Sequence, residues 1–132
     1  MEYNVFKGMS YEIEKFVENH DTAIHFGSGG VEVLATPVMI GLMENAAMNA
    51  VKGGLPEGFD TVGTKVEVSH MAATPVGMKV RVIAEVVDVQ GRMIEFSVKA
   101  YDECDKIGEG KHQRAIIEVN RFLAKANSKK NS

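Results

Sequence analysis

TPVMIGLMENAAMNAV, residues Thr36–Val51, is the most apolar long run in the chain and carries one charge, Glu44. Its start is marked twice. Thr36 suits an N-cap, with its hydroxyl accepting from a free N–H of the first turn. Pro37 follows at the first helical position, where a missing N–H costs nothing. Gly53-Gly54 and then Pro56 mark the stop. Between these ends Met39, Ile40, Leu42, Met43, Ala46, Ala47, Met48, Ala50 and Val51 cover nearly the whole circumference. A helix apolar all round is a buried helix. Glu44, Asn45 and Asn49 interrupt it, and it is too short to span a membrane. The expectation is a central helix, with a carboxylate in its middle, wrapped by the rest of the chain.

The rest is long enough to do so. At 132 residues the chain is one domain with a sizeable core. We expect a single domain over residues 1–124 and a polar tail over 125–132, KANSKKNS. The net charge of −3 is spread over mixed signs, which argues against a nucleic-acid partner. Glu2 and Asn4 interrupt any basic-then-apolar leader. The single cysteine, Cys104, has no internal partner, and its acidic neighbours oppose a reactive thiolate. A cytoplasmic location is the expectation.

Ahead of the helix, Tyr11, Ile13, Phe16 and Val17 suggest a strand with a break in its alternation, with a helix as the alternative. Gly27-Ser28-Gly29-Gly30 is a turn or loop. The run Val31–Ala35 separates it from the helix, unlike a phosphate loop. After Gly58 the pattern is β. In 61–69 the even residues Val62, Thr64, Val66 and Val68 form the core face, and His70 continues that parity. A Pro/Gly turn over 72–77 leads to a strand over 79–90 with Val80, Val82, Ala84 and Val86 inward. A tight hairpin at Gln90-Gly91-Arg92 follows. The next strand, 93–102, has Ile94, Phe96, Val98 and Ala100 inward. The last is read over 107–122, with Ala115, Ile117 and Val119 on one face and His112, Arg114 and Glu118 on the other. The four strands read as an antiparallel meander. One helix against an antiparallel sheet is an α+β fold. A sheet of about five strands wrapped around one long helix is the hot-dog architecture. Its free edges favour pairing with a second copy, so a homodimer is expected.

Three residues stand out chemically. Glu44 is costly to bury unless paired or used. It is either a nucleophile or general base, or part of a polar surface strip with Lys52. Thr36 is either a cap or a hydroxyl presented beside the positive helix end. His70 is either a hydrogen-bonded interior histidine or an acid/base. Thr36 and Glu44 are separated by roughly 12 Å along the axis, so they do not form a simple pair. Met39, Met43, Met48 and Met71 either fill the core or line an adaptable acyl pocket. The four histidines and Cys104 lack ligand spacing, so no metal is expected.

The segments VLATPVMIGLMENAA (33–47), TVGTKVEVSHMAATPVGMKV (61–80) and IGEGKHQRAII (107–117), in this order and spacing, resemble the fluoroacetyl-CoA thioesterase-like family of hot-dog proteins. The resemblance implies an acyl-CoA thioesterase that hydrolyses a small acyl-CoA to the free acid and CoA. It implies that Thr36, Glu44 and His70 are catalytic and that Gly63 and Arg114 bind substrate. No cofactor is implied, since CoA belongs to the substrate. Fluoroacetyl-specific members are expected to carry bulky aromatics upstream of the helix as a gate. Here Phe26 is the only aromatic near Gly27-Ser28-Gly29-Gly30, so the resemblance does not extend to fluoroacetyl selectivity. The rival reading is a non-catalytic acyl-CoA-binding or sensing module, since fold does not fix function. A hot-dog dehydratase would want an aspartate–histidine pair where this chain has Thr36-Pro37.

Overall fold

The computed structural model describes residues 3–131. Chain order is β1 (Ser10–Phe16), a short helix α1 (Ala23–Phe26), α2 (Thr36–Lys52), β2 (Phe59–His70), β3 (Lys79–Gln90), β4 (Met93–Tyr101), β5 (Lys106–Glu118) and α3 (Val119–Asn127). The strands form one five-stranded antiparallel sheet in the order β1-β3-β4-β5-β2. It packs around α2 in the hot-dog arrangement.

The expected meander holds only for β3-β4-β5. β2 lies at the far edge beside β5, and β1 takes the place next to β3. The reason is that residues 71–78 form a braced crossing and not a hairpin turn. Thr74 is fully buried there. Its hydroxyl donates to Asp102 Oδ2 at 2.8 Å, and its carbonyl accepts from Leu34. Asp102 Oδ1 also accepts from the N–H groups of Cys104 and Asp105, which closes the β4–β5 turn.

The alternation on β3 and β4 is as expected. Val80, Val82, Ala84 and Val86 face Ile94, Phe96, Val98 and Ala100 in one core, all nearly inaccessible. From α2, Met39, Met43, Ala46, Ala47, Ala50 and Val51 complete that core. Their spacing defines one stripe. The helix is therefore not buried all round. Gly41, Asn45 and Lys52 are exposed, and Ile40, Leu42, Glu44, Met48 and Asn49 are half-buried, because the sheet covers only one side. Met39 and Met43 are core residues, each stabilising the fold by about 1.5–3 kcal/mol on burial. Met71 is exposed. An acyl pocket lined by these methionines does not form.

Two further expectations change. Ala35, not Thr36, caps α2. Thr36 is the first helical residue, and its side chain makes no capping bond because it is engaged elsewhere. β5 ends at Glu118, and α3 begins where the strand was expected to continue to Phe122. Val119, Phe122, Leu123 and Ala126 carry the helical i, i+3, i+4, i+7 spacing that decides this. The inward face of β5 is His112, Arg114 and Ile116, all buried. Among the described residues, no helix is long and apolar enough to cross a membrane.

Candidate active site

β2 positions most of the polar groups, and a bulge decides which of them face α2. Gly63 pairs with Arg114 and Lys65 pairs with Gln113, so Thr64 is left out of the ladder. The alternation therefore inverts there. Thr61 and Gly63 face α2 before the bulge; Val66, Val68 and His70 do so after it. The even parity expected along the whole strand holds only for its second half, and Val62 and Thr64 are not core residues.

The polar groups fall into two clusters. In the first, Thr36 Oγ1 and His70 Nδ1 are hydrogen-bonded at 2.7 Å. The first turn of α2 and the last residue of β2 meet here. The other ring nitrogen, His70 Nε2, is buried and has no partner. Burial pushes the imidazole below its usual 6.5, and the Ala72 backbone offsets part of this. His70 is therefore neutral at pH 7.

The second cluster is two turns further along α2. Glu44 Oε2 lies 3.9 Å from Arg114 Nη1. It also lies so close to Gly63 that a Cβ there would sit 2.9 Å from it. Glycine is thus what lets the carboxylate approach the strand. Arg114 is buried, and each of its three side-chain nitrogens makes a hydrogen bond. Nε donates to Thr61 Oγ1 at 2.8 Å, Nη2 to the Thr61 carbonyl at 2.9 Å, and Nη1 to His112 Nε2 at 3.1 Å. Burial pushes the guanidinium down from its usual value, while Glu44 and Asp60 pull it back up. The Glu44 side chain keeps 42% of its exposure, opening on the side of α2 that the sheet leaves uncovered. It makes no pair with Lys52.

Of the five residues singled out in the sequence, Thr36 and His70 are thus brought together, and so are Glu44, Gly63 and Arg114. The two sets are not brought together within one chain. His112 was missed as a site residue. Its signal was its parity: it lies two residues from Arg114 on one strand, so both share a face.

Residues 17–120 match the family model for fluoroacetyl-CoA-specific thioesterases. The fluoroacetyl-CoA thioesterase of Streptantibioticus cattleyicolor is 45% identical over 98 residues, covering 74% of this chain and 70% of that protein. The chain belongs to the fluoroacetyl-CoA-specific thioesterase family. The solved structure of the fluoroacetyl-CoA thioesterase FlK is similar at a TM-score of 0.90 and 37% identity, over 95% of this chain and 97% of that one. A thioesterase-superfamily protein from Thermus thermophilus is similar at a TM-score of 0.89 and 29% identity, over 96% and 94% of the two chains. As a member of this family the protein is an acyl-CoA thioesterase, cleaving a thioester to the free acid and CoA.

Proposed function

We propose that the protein hydrolyses small acyl-CoA thioesters at a site completed by two copies of the chain. Glu44 supplies the nucleophilic oxygen, either directly or by taking the proton of a water. His70 is the acid/base, acting through Nε2 while Thr36 holds Nδ1. Arg114 and the glycine at Gly63 fix the Glu44 carboxylate and leave room for the acyl group. On the direct route, addition to the carbonyl and loss of the C–S bond give a Glu44–acyl anhydride and a thiolate, and water then cleaves the anhydride to the acid, its proton passing to His70. On the water route the acid and the thiolate form directly, the proton of the water passing to Glu44. The thiolate is protonated by water, or by His70 once it has taken up a proton.

The observation that carries this is the separation of the two clusters. Within one chain they are roughly 12 Å apart along α2, and Gly63 and His70 are roughly 20 Å apart along β2. β2 is an edge strand, and Gly63–Glu67 in its middle are exposed. Antiparallel pairing with a second copy about a two-fold axis near Val66 would bring the His70 end of each strand beside the Thr61–Gly63 end of the other. The unpartnered Nε2 would then face the site that holds Glu44. A homodimer is thus part of the mechanism.

The test is complementation. Glu44→Gln and His70→Ala are each expected to keep about 1% of parent activity or less alone. Refolded together in equal amounts, they are expected to regain about a quarter of parent activity, since half the dimers are mixed and each holds one intact site. A mixture no more active than its components would sink the two-chain site.

The acyl group is small, without selectivity for fluoroacetyl. The segment that would carry an aromatic gate is Gly27-Ser28-Gly29-Gly30. It leads to the Thr36 end of α2, with Leu34 bridged to Thr22 and Val33 to Pro75. Gly27 adopts φ +89°, which closes α1 and which a bulky side chain would strain. Phe26 is mostly exposed. Thiol release from acetyl-CoA and fluoroacetyl-CoA is expected at kcat/KM values within about tenfold of each other. A preference for fluoroacetyl-CoA above about a hundredfold would refute this.

A further inference from the structure

We infer that His112 is a positioning residue for Glu44, acting through Arg114 as a neutral hydrogen-bond acceptor. This rests on the role given to Glu44 above. His112 is 1% exposed and stacks on Phe96 with ring centroids 6.1 Å apart. Its two nitrogens have fixed and opposite duties. Nδ1 lies 2.8 Å from the Lys65 carbonyl, which only accepts, so Nδ1 carries the proton. Nε2 lies 3.1 Å from Arg114 Nη1, which only donates, so Nε2 presents its lone pair. Both neighbours therefore demand the same neutral tautomer.

That tautomer completes the clamp on Arg114. Thr61 already takes Nε and Nη2. His112 takes Nη1, which is the nitrogen nearest Glu44. With all three nitrogens directed, the guanidinium plane is fixed, and so is the cation that Glu44 faces. The same imidazole ties down Lys65, the first paired residue after the bulge. It thereby also holds the bulge that brings Gly63 against Glu44. A misplacement of about 1 Å in such a carboxylate is enough to cost activity.

Protonation would abolish the arrangement, because an imidazolium has no lone pair for Arg114 and would set cation against cation. The groups facing the ring are Arg114 on its own strand, Glu44 from α2, the Lys65 carbonyl from β2 and Phe96 from β4. Burial is the largest influence and pushes the imidazole below 6.5. Arg114 adds to this, while the Lys65 carbonyl and Glu44 oppose it.

Two measurements test the proposal. Imidazole ¹⁵N NMR on the parent is expected to show His112 protonated at Nδ1 alone, titrating below the usual histidine range of about 6.5. An Nε2–H tautomer, or a titration in the usual range, would overturn the proposal whatever the activity. In kinetics, His112→Leu fills the space without either bond. It is expected to lower kcat at least about tenfold with KM nearly unchanged. His112→Gln, whose carbonyl can accept from Arg114, should recover most of that loss. The double variant His112→Leu/Arg114→Met should be no slower than Arg114→Met alone, because both act through one group. Parent kcat in His112→Leu, or losses that multiply in the double variant, would refute it. If His112→Leu does not fold, His112→Asn, which keeps the Lys65 bond without the reach to Arg114, should show the same kcat loss, and parent kcat there refutes the proposal. Parent-rate hydrolysis by Glu44→Gln would instead overturn the role of Glu44 and leave the tautomer result standing.

Discussion

Glu44→Gln is expected to lower kcat by about 10² or more while the fold and KM stay close to those of the parent. The size of the loss follows from what the amide lacks. It is the same shape as the carboxylate and can still lie beside Arg114, but it is neither a base nor a competent nucleophile. The structural cost is small for a different reason. Glu44 is 42% exposed and meets Arg114 only at 3.9 Å. Such a partly solvated pair contributes at most about 1 kcal/mol. Arg114 keeps its bonds to Thr61 and His112 without it. Steady-state thiol release, read beside a thermal melt, separates the two effects. A rate within threefold of the parent would remove Glu44 from the chemistry.

His70→Ala is expected to lower kcat/KM by a comparable factor of about 10². It removes the one buried side-chain nitrogen that lacks a partner among the described residues, and it strips Thr36 of its hydrogen bond. The pH dependence has a definite sign. Because burial holds the folded-state pKa of His70 below 6.5, the parent keeps a neutral imidazole at pH 7. Its rate falls only as the pH drops through that lowered value. Stability runs the same way. Below 6.5 the unfolded chain takes up the proton first, so the contribution of His70 is present above 6.5 and lost as the pH falls through the folded pKa. Replacing His70 removes its share of this acid loss. A His70→Ala enzyme with parent kcat/KM at pH 7 would exclude it as the acid/base.

Much of the architecture was legible in local pattern. The limits of α2 followed from Pro37 and the Gly53-Gly54 pair, and the inward faces of β3 and β4 from simple alternation. These strands are regular, flanked by turns with the right residues, and each inward position meets another apolar one. β2 was misread in its first half because a bulge carries no composition of its own. Thr64 is unremarkable in sequence, and only the pairing with β5 shows that it lies outside the ladder. The end of β5 was misread because a β-rich run, RAIIEV, hid the helical spacing of the residues that follow.

The identities of Thr36, Glu44, His70, Gly63 and Arg114 as the residues to watch came from the sequence alone, as did the α+β class and the long central helix. Residue type, spacing and resemblance are local properties that a chain carries unfolded. The tertiary structure decided the rest. It set β2 at the free edge of the sheet, inverted its faces at Thr64, and turned His112 inward to hold Arg114. It also divided the polar groups into a Thr36–His70 cluster and a Glu44–Arg114 cluster. These outcomes depend on the register between strands some fifty residues apart. That register is set by how the whole sheet closes on α2, not by any short stretch of sequence.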